Sequence, residues 1–318
     1  MPLLETLTRD VVESVLMGVA VGDALGLPLE FEWREPLDAW LEGLGELECV
    51  APRGYCAYSD DTEMTLIVAE SLAERCGVDQ EHLAEMLMAK ARIEDELRYY
   101  GAGTIAVIKL LRKGFPWKKA VLEVYEGGNM GNGAAIRVAP VALFYHPDTQ
   151  AVWRAAGEQA IVTHAHPIGV EAARIQALAI HYSLSGVEPV RLPGVLMGQA
   201  KTREFKTALG RVEGLLGSDP TPREVVDALG NGAPGHESVP AAIYAHARAR
   251  GDPLKAVLNA LSLGGDSDSI ASMAAAIAVA YSRGLGGLEH LRDAVEGADE
   301  ISRVASKLYG AIRECTRG

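Results

Sequence analysis

Apolar residues recur every three or four positions along most of the chain, which is the period of an amphipathic α-helix. The clearest examples lie at 64–72 and 270–281. Alternation of apolar and polar residues, the pattern of a half-buried strand, is hard to find. Further helices are predicted at 7–24, 80–96, 101–112, 117–125, 150–162, 168–184, 196–216, 221–228, 238–249, 253–262 and 299–314. The pattern therefore predicts an all-α fold.

Proline and glycine separate the predicted helices, but no long linker and no repeat of fixed period divides the chain. The length of 318 residues allows two domains, at about 150 residues per domain. One large domain is equally compatible with that length, so periodicity and length alone leave the domain organisation open.

Charge excludes two classes of partner. The chain carries 30 Lys and Arg residues against 43 Asp and Glu residues, which gives a net charge of −13. Binding to nucleic acid or to an anionic membrane needs a basic surface that neutralises phosphate groups. We therefore expect neither a nucleic-acid-binding protein nor a membrane-bound one.

The cysteines and the N-terminal residues bear on location. Cys49, Cys56, Cys76 and Cys315 form neither a CxxC pair nor a regular series. This spacing predicts neither a disulfide framework nor a structural zinc site. The segment 1–15 carries acids where a secretory signal would carry Lys or Arg. We expect a soluble protein in the reducing cytoplasm.

Small residues recur four positions apart in the first predicted helix, at Gly18, Gly22 and Gly26. In a membrane span this pattern would indicate helix dimerisation, but Asp23 interrupts it. Close packing of the helix against backbone in a dense core is the better interpretation. The functional alternative is that Asp23 and Glu30 line a cavity beside this close approach.

Two acidic clusters, SDDT at 59–62 and GGDSDS at 264–269, each precede an amphipathic helix. Ser and Asp are common helix N-caps, and one acid per helix would serve that purpose. Two adjacent carboxylates repel each other, so two acids per cluster exceed what capping needs. Oxygen ligands with no cysteine nearby favour Mg²⁺, Mn²⁺ or Ca²⁺ over zinc. The clusters therefore predict a site for a hard divalent cation.

A glycine-rich loop occupies 127–133, before a short apolar segment. Glycines at the start of a helix expose backbone N–H groups, which bind phosphate or other polar atoms without added positive charge. A tight connection between helices is an equally good interpretation. The loop does not match the P-loop pattern, and the GAGT sequence at 101–104 does not match GxGxxG.

Two histidines, His164 and His166, lie in the sequence THAHP. An H-x-H pair can bind zinc in a hydrolase, but the buried strand that such a barrel needs does not precede it. We expect loop residues before a helix, one of which hydrogen-bonds a ligand or a carbonyl group. Further along, Glu237 either caps a helix or points into a site.

The order of these motifs resembles the ADP-ribosylglycohydrolase family, which includes dinitrogenase-reductase-activating glycohydrolases and ADP-ribosylarginine hydrolases. The segments that carry the resemblance are GVAVGDALGLPLEF at 18–31, YSDDTEMT at 58–65, GNGAAIRVAP at 131–140, THAHP at 163–167, ESVPAAIY at 237–244 and GGDSDSIASMAAAIAVAYSRGLG at 264–286. They follow the family's order across nearly the whole chain.

The resemblance implies one compact all-α domain over 1–318, a bundle of many helices with a central cleft that binds two Mg²⁺ or Mn²⁺ ions. The metal ligands that it implies are Ser59, Asp60, Asp61, Asp266, Asp268 and Ser269. Ser59 and Ser269 stand where many members have Thr, and the hydroxyl group is kept. The substrate-binding residues that it implies are Gly127, Gly128, Asn129, Gly131, Asn132, Gly133 and His164.

The implied activity is hydrolysis of the N- or O-glycosidic bond of an ADP-ribosylated protein or small molecule, with ADP-ribosylarginine in protein as the first candidate. The implied catalytic residues are Glu30, Asp60 and Asp61. A metal pair can hold the ribose hydroxyls and a water molecule, and carboxylates stabilise the oxocarbenium-like transition state. In our hypothesis Asp60 or Asp61 orients the water, and Glu30 acts as acid or base or gates the metal.

Two alternatives come from other functional classes. The first is a family member without activity that binds ADP-ribose or serves structurally, as crystallins that resemble this family do. Loss of a ligand acid would favour it, and none is lost here. The second is an unrelated amidohydrolase that binds zinc through His164 and His166. The choice of acceptor depends on loops such as 31–56 and 92–104.

Overall fold

The fold is known from a computed structural model that describes residues 7–30 and 56–315. Within these two ranges, the secondary structure consists of helices and two isolated β-bridges, one joining Cys56 to Val295 and one joining Gly131 to Pro234. The predicted all-α fold is confirmed. The predicted single domain over 1–318 includes 1–6, 31–55 and 316–318, which lie outside the described residues, and stays a prediction.

Sixteen α-helices follow one another along the described chain. They are α1 Arg9–Gly26, α2 Asp60–Arg75, α3 Gln80–Lys90, α4 Ala102–Arg112, α5 Trp117–Val124, α6 Gly133–Ile136, α7 Ala139–Tyr145, α8 Thr149–Ala160, α9 Pro167–Leu184, α10 Leu192–Gln199, α11 Arg203–Leu216, α12 Pro222–Leu229, α13 Gly235–Arg248, α14 Pro253–Leu261, α15 Ser267–Ser282 and α16 Ala298–Cys315. Short 3₁₀ helices lie at Leu27–Leu29, Glu96–Arg98, Pro189–Arg191 and Gly286–Ala294.

Two predicted helices, 80–96 and 196–216, are wrong in extent. The first ends at Lys90, and the backbone N–H of Arg92 donates to the Glu63 carboxylate at 2.7 Å. The second is divided between α10 and α11, because the buried Glu171 carboxylate accepts the N–H groups of Lys201 and Thr202. In both regions a carboxylate from a distant helix takes the N–H groups that would have continued the helix.

Helices α1 and α15 approach each other very closely in the middle of the core. A Cβ atom on Gly22 would lie 2.5 Å from the backbone oxygen of Ala271, and one on Gly26 would lie 2.4 Å from the Cα atom of Asp268. Every residue of α15 from Ser267 to Ala280 is buried. The close-packing interpretation of the glycine pattern is confirmed, because only hydrogen fits at these positions.

The same packing accounts for the apolar character of α1. Among the described residues, Arg9–Leu29 is long and apolar enough to cross a membrane by length and composition, and 83% of its most apolar window is buried inside the protein. A helix that is apolar on all sides is typical of a core helix as well as of a membrane span.

A disulfide joins Cys76 to Cys315, with their Cα atoms 5.5 Å apart. Cys76 is the C-cap of α2 and Cys315 is the last residue of α16, and these two helices pack together. The expectation of no disulfide is therefore wrong. The bonded cysteines are 239 positions apart, so local spacing carried no signal for the pair. The argument for a reducing compartment from cysteine usage no longer holds.

Substitution of Gly22 by Ala tests the contact between α1 and α15. We expect Gly22→Ala to destabilise the protein by about 1–3 kcal/mol, because the added methyl group meets backbone atoms that cannot rotate away. The matched control is Gly310→Ala in α16, where an added Cβ meets nothing within 4 Å. The control should gain up to about 1 kcal/mol from helix propensity. Denaturant midpoints give both values, and equal stability of Gly22→Ala and wild type would contradict the prediction.

Candidate metal and substrate site

Three helix ends meet at one place in the fold. They are the C-terminal end of α1, the N-terminal end of α2 and the N-terminal end of α15. The Ser267 hydroxyl donates to the Gly26 carbonyl oxygen at 3.0 Å, which joins α15 to α1. Both acidic clusters lie at these ends, so residues from opposite parts of the chain are brought together.

Asp23 joins α1 to α2. Its buried carboxylate accepts the N–H of Ser59 at 2.9 Å, the N–H of Thr62 at 3.0 Å and the Thr62 hydroxyl at 2.6 Å. A carboxylate at a helix N-terminus satisfies N–H groups and interacts favourably with the helix dipole. The functional alternative from the sequence, that Asp23 and Glu30 line a cavity, holds for Glu30, whereas the Asp23 side chain holds the first turn of α2.

The helix ends surround a cavity of about 270 Å³. Its carboxylate-bearing lining residues are Glu30, Asp60, Asp61, Asp266 and Asp268. One ligand oxygen each from Glu30, Asp266 and Asp268 lies within 4.8 Å of the other two. The Oδ2 atom of Asp61 is buried and has no hydrogen-bond partner. The oxygen atoms of Glu30, Asp266 and Asp268 could hold a metal ion.

Burial and mutual repulsion disfavour the ionised form of these acids. Burial raises the pKa of Glu30 to about 7, with further contributions from the charges of Asp266 and Asp23. Burial, followed by neighbouring carboxylates, raises the pKa values of Asp60, Asp61 and Asp268 well above the usual range. Lys and Arg are absent from the described lining of the cavity. A bound divalent cation would supply the missing positive charge, so the donor set fits such an ion.

The hydrogen bonds of the two acidic clusters show which of their side chains cap a helix and which do not. The Ser59 hydroxyl oxygen accepts the Asp61 N–H at 3.2 Å and thus caps α2. Asp266 occupies the N-cap position of α15, but its side chain accepts no capping hydrogen bond. It accepts the Asn132 side-chain amide at 2.8 Å instead. The Asp268 carboxylate accepts the Ser269 N–H at 2.8 Å. Capping alone therefore does not account for the second cluster.

The glycine-rich loop forms another wall of the cavity. Asn129, Gly131, Asn132 and Gly133 line it. Gly127 and Gly128 adjoin His166 instead, and a Cβ atom on Gly128 would lie 2.4 Å from the His166 backbone nitrogen. The loop thus combines the two interpretations that the sequence left open, since one part faces the cavity and the other makes a tight connection.

The two histidines of THAHP have different positions, one at the cavity and one at a helix cap. His164 is buried and lines the cavity. His166 is the N-cap of α9, and its Nδ1 atom accepts the Ile168 N–H at 3.1 Å. A neutral imidazole whose Nδ1 accepts a hydrogen bond carries its proton on Nε2 and has no lone pair free for zinc. Among the described residues, the group close enough to hold a metal ion is Glu30, Asp266 and Asp268, without either histidine, so the geometry does not support the zinc alternative. Glu237 accepts the Gly232 N–H at 3.2 Å and so holds the turn before α13.

Several lining residues were not among the predicted site residues. Gly101, Ala102, Gly103 and Thr104 line the cavity, although their sequence matches no nucleotide-binding pattern. Tyr99 and Tyr125 also line it, with 52% and 45% of their surfaces exposed. Exposed aromatic residues at a cavity mouth are typical of a ligand site. Their positions follow from the tertiary fold, and helical periodicity carries no signal for them.

The chain is similar to known proteins over nearly its whole length. A sequence profile described as ADP-ribosylglycohydrolase matches residues 4–317. The ADP-ribosylhydrolase ARH3 of Mus musculus is 33% identical over 94% of this chain and 91% of its own length. The ARH3 of Homo sapiens is also 33% identical, over 81% and 79%. A solved structure of an "ADP-ribosylglycohydrolase-related protein complex" has a TM-score of 0.66 and 25% identity, and the match covers 96% of this chain and 98% of that one.

Because the pKa of Glu30 is raised, we expect ionisation of Glu30 to lower the stability of the folded protein. Because the folded-state pKa is about 7 and the ordinary value is 4.5, Glu30 destabilises the fold progressively as the pH rises through this interval. We expect the melting temperature of Glu30→Gln, minus that of wild type, to increase from pH 5 to pH 8. The buffer in this experiment contains a chelator, so that no bound divalent cation offsets the charge of Glu30.

The matched control for this comparison is Glu314→Gln, at the exposed end of α16. Its difference from wild type should stay constant across the same pH range. A difference for Glu30→Gln that is also independent of pH would contradict the prediction.

Proposed function

We propose, from the premise that the chain belongs to the ADP-ribosylglycohydrolase family and is a glycosyl hydrolase, that it cleaves the N- or O-glycosidic bond of ADP-ribosylated substrates with two divalent cations, Mg²⁺ or Mn²⁺. ADP-ribosylarginine in protein is the first candidate substrate, and small ADP-ribosyl conjugates are the second. The observation that carries the proposal is a cavity with five acidic lining residues and no described Lys or Arg.

The metal ligands in this proposal come from both acidic clusters. Ser59, Asp60 and Asp61 lie at the start of α2, and Asp266, Asp268 and Ser269 lie at the start of α15. Carboxylate and hydroxyl oxygens are hard ligands, which favour Mg²⁺ or Mn²⁺ over softer metals. Bound ions would polarise the ribose hydroxyls and lower the pKa of a water molecule.

The wall formed by the glycine-rich loop would bind the ADP-ribosyl group. Gly131 and Gly133 line this wall, and the absence of a side chain on them leaves room for Asn129 and His164 beside the cavity. The Gly131 N–H already donates to the Asn129 side-chain oxygen at 2.8 Å, so it orients that amide. Backbone N–H groups and neutral amides hold phosphate oxygens without a formal positive charge. Asn129 and His164 lie on the same wall. We assign the diphosphate and the distal ribose to this side.

The chemistry would take place between these two walls. Asp60 or Asp61 orients the attacking water, and the surrounding carboxylates stabilise the oxocarbenium-like transition state. A general acid–base works best with a pKa near the operating pH. Burial raises the pKa of Glu30 to about 7 in the absence of a cation, and a cation bound by Asp266 and Asp268 would lower it again. We therefore assign Glu30, from its position beside the proposed ligands, as the acid or base or as the residue that gates the metal.

We also propose the cytoplasm as the location, with an ADP-ribosylated protein or small molecule as the partner. The net charge of −13 supports the expectation that neither a membrane nor a nucleic acid is a partner. The Cys76–Cys315 disulfide is the observation in tension with a reducing compartment.

Removal of a single carboxylate charge tests the metal site. We expect Asp61→Asn and Asp268→Asn each to lower kcat/KM for ADP-ribose release by about 100-fold or more, because loss of a ligand would weaken the cation that holds the ribose hydroxyls and the water. The matched control is Asp227→Asn, an exposed acid in an ion pair with Arg223, which should keep wild-type turnover. Full activity of both cavity variants would show that the metal mechanism is wrong.

The substrate is tested with a panel of ADP-ribose conjugates linked through arginine, serine, an acidic residue and a nucleobase. Each conjugate is assayed for free ADP-ribose with Mg²⁺, with Mn²⁺ and with a chelator. We expect release that depends on the cation, highest from the arginine conjugate. If ADP-ribose is released mainly from another conjugate, arginine is the wrong acceptor, but the proposed hydrolysis of an ADP-ribosyl bond still holds. Binding of ADP-ribose without release from any conjugate would favour the inactive, ADP-ribose-binding alternative.

A further inference from the structure

His164 presents one edge of its ring to the cavity and the other to the core. A Cβ atom on Gly133 would lie 2.8 Å from His164 Cε1 and 3.0 Å from Nε2, so the bare glycine leaves room for this edge. On the other edge, Nδ1 lies 2.8 Å from the Thr163 hydroxyl oxygen. His164 is 2% exposed and Thr163 is 1% exposed. Water therefore has little access to the contact between them.

The Thr163 hydroxyl has one proton, and the geometry leaves one acceptor for it. The Thr163 oxygen accepts a hydrogen bond from Arg137 Nη2 at 2.8 Å. A guanidinium group only donates, so it cannot take the hydroxyl proton. The remaining contact of the hydroxyl group is His164 Nδ1. If Nδ1 carried a proton instead, the buried hydroxyl proton would have no acceptor, which is costly.

Arg137 is held in place from behind. Its Nε atom donates to the side-chain oxygen of Gln159 at 3.0 Å, and Nη2 also donates to the Gln159 backbone oxygen at 3.2 Å. The Gln159 amide in turn donates to the Ala134 backbone oxygen at 2.7 Å. Arg137 and Gln159 are both fully buried. The direction of donation from Arg137 to Thr163 is therefore fixed by the fold.

The charge states agree with this direction. Burial lowers the pKa of Arg137 to about 10, which leaves it protonated at neutral pH. Burial, and then the Arg137 charge, lowers the pKa of His164 to about 3. A neutral imidazole whose Nδ1 accepts a hydrogen bond carries its proton on Nε2.

We propose that Arg137 and Thr163 are positioning residues that fix His164 as the Nε2–H tautomer, so that it donates a hydrogen bond to a diphosphate or ribose oxygen in the cavity. The identity of that ligand rests on the proposed function, whereas the tautomer does not. In this state His164 Nε2 has no free lone pair. It therefore serves neither as a general base nor as a metal ligand, and the proton work stays with the carboxylates.

The tautomer is measured directly by two-bond ¹H–¹⁵N correlation NMR on protein labelled with ¹⁵N-histidine. The signals of His164 are assigned from a His164→Gln sample. We expect the Nε2–H pattern in wild type and in Thr163→Ser, which keeps the hydroxyl group. We expect the pattern to change in Thr163→Val, which has a similar volume but cannot donate to Nδ1. An Nδ1–H pattern in wild type, or no change in Thr163→Val, overturns the proposal.

The consequence for binding is measured by titration calorimetry with ADP-ribose. We expect Thr163→Val to bind about tenfold more weakly than wild type, the effect of losing one oriented hydrogen bond, and Thr163→Ser to bind within a factor of about two. Melting temperatures of the variants establish that they are folded. Equal affinity of folded Thr163→Val and wild type overturns the assigned function of the tautomer.

These measurements separate the two proposals. If wild type shows the Nε2–H pattern and binds ADP-ribose but hydrolyses no conjugate, the proposed reaction fails and the positioning of His164 stands. If conjugates are hydrolysed but His164 carries its proton on Nδ1, the reaction stands and the positioning fails.

Discussion

The close contact between α1 and α15 is the constraint on which the site depends. At Gly22 and Gly26 the space between the helices is filled by backbone of α15, so no side chain fits there. This contact places the C-terminal end of α1 beside the N-terminal end of α15. Glu30, from the beginning of the chain, thereby comes within 4.8 Å of Asp266 and Asp268, from its last quarter. Packing density at the glycines thus determines the geometry of acids that are distant in sequence.

The acids gathered by this contact differ in how their charge is compensated. Asp23 accepts three hydrogen bonds from Ser59 and Thr62 at the start of α2. The Asp61 carboxylate, by contrast, keeps one buried oxygen without a partner. Buried charges are tolerated when they are paired or bind metal. Asp23 is therefore explained by the fold alone, whereas a bound cation, which the fold does not itself supply, would account for Asp61 and the acids around it.

The sequence predicted the elements whose signal is local. Periodicity identified the helices around 64–72 and 270–281, and the paired acids before them identified candidate ligands. Predictions from the sequence were wrong where the structure depends on a residue that is distant along the chain. Glu63 and Glu171 end helices by capturing N–H groups far along the chain, and the Cys76–Cys315 disulfide joins positions 239 residues apart. The links from Arg137 to His164 also depend on helices that only the fold brings together.

An acidic protein with an anionic substrate has to place two kinds of group in one cavity: carboxylates that attract a cation, and hydrogen-bond donors that bind the anion. On one wall lie the carboxylates of Asp60, Asp266 and Asp268, whose charges a bound cation would offset. On the other wall, the glycine loop and His164 offer neutral donors to oxygen atoms. Arg137, which is positively charged, is buried on the side of His164 that faces the core, and it does not line the cavity. If Arg137 faced the carboxylates directly, it would compete with a divalent cation for them. Through Thr163 it instead orients a neutral donor, and the carboxylates stay available for metal.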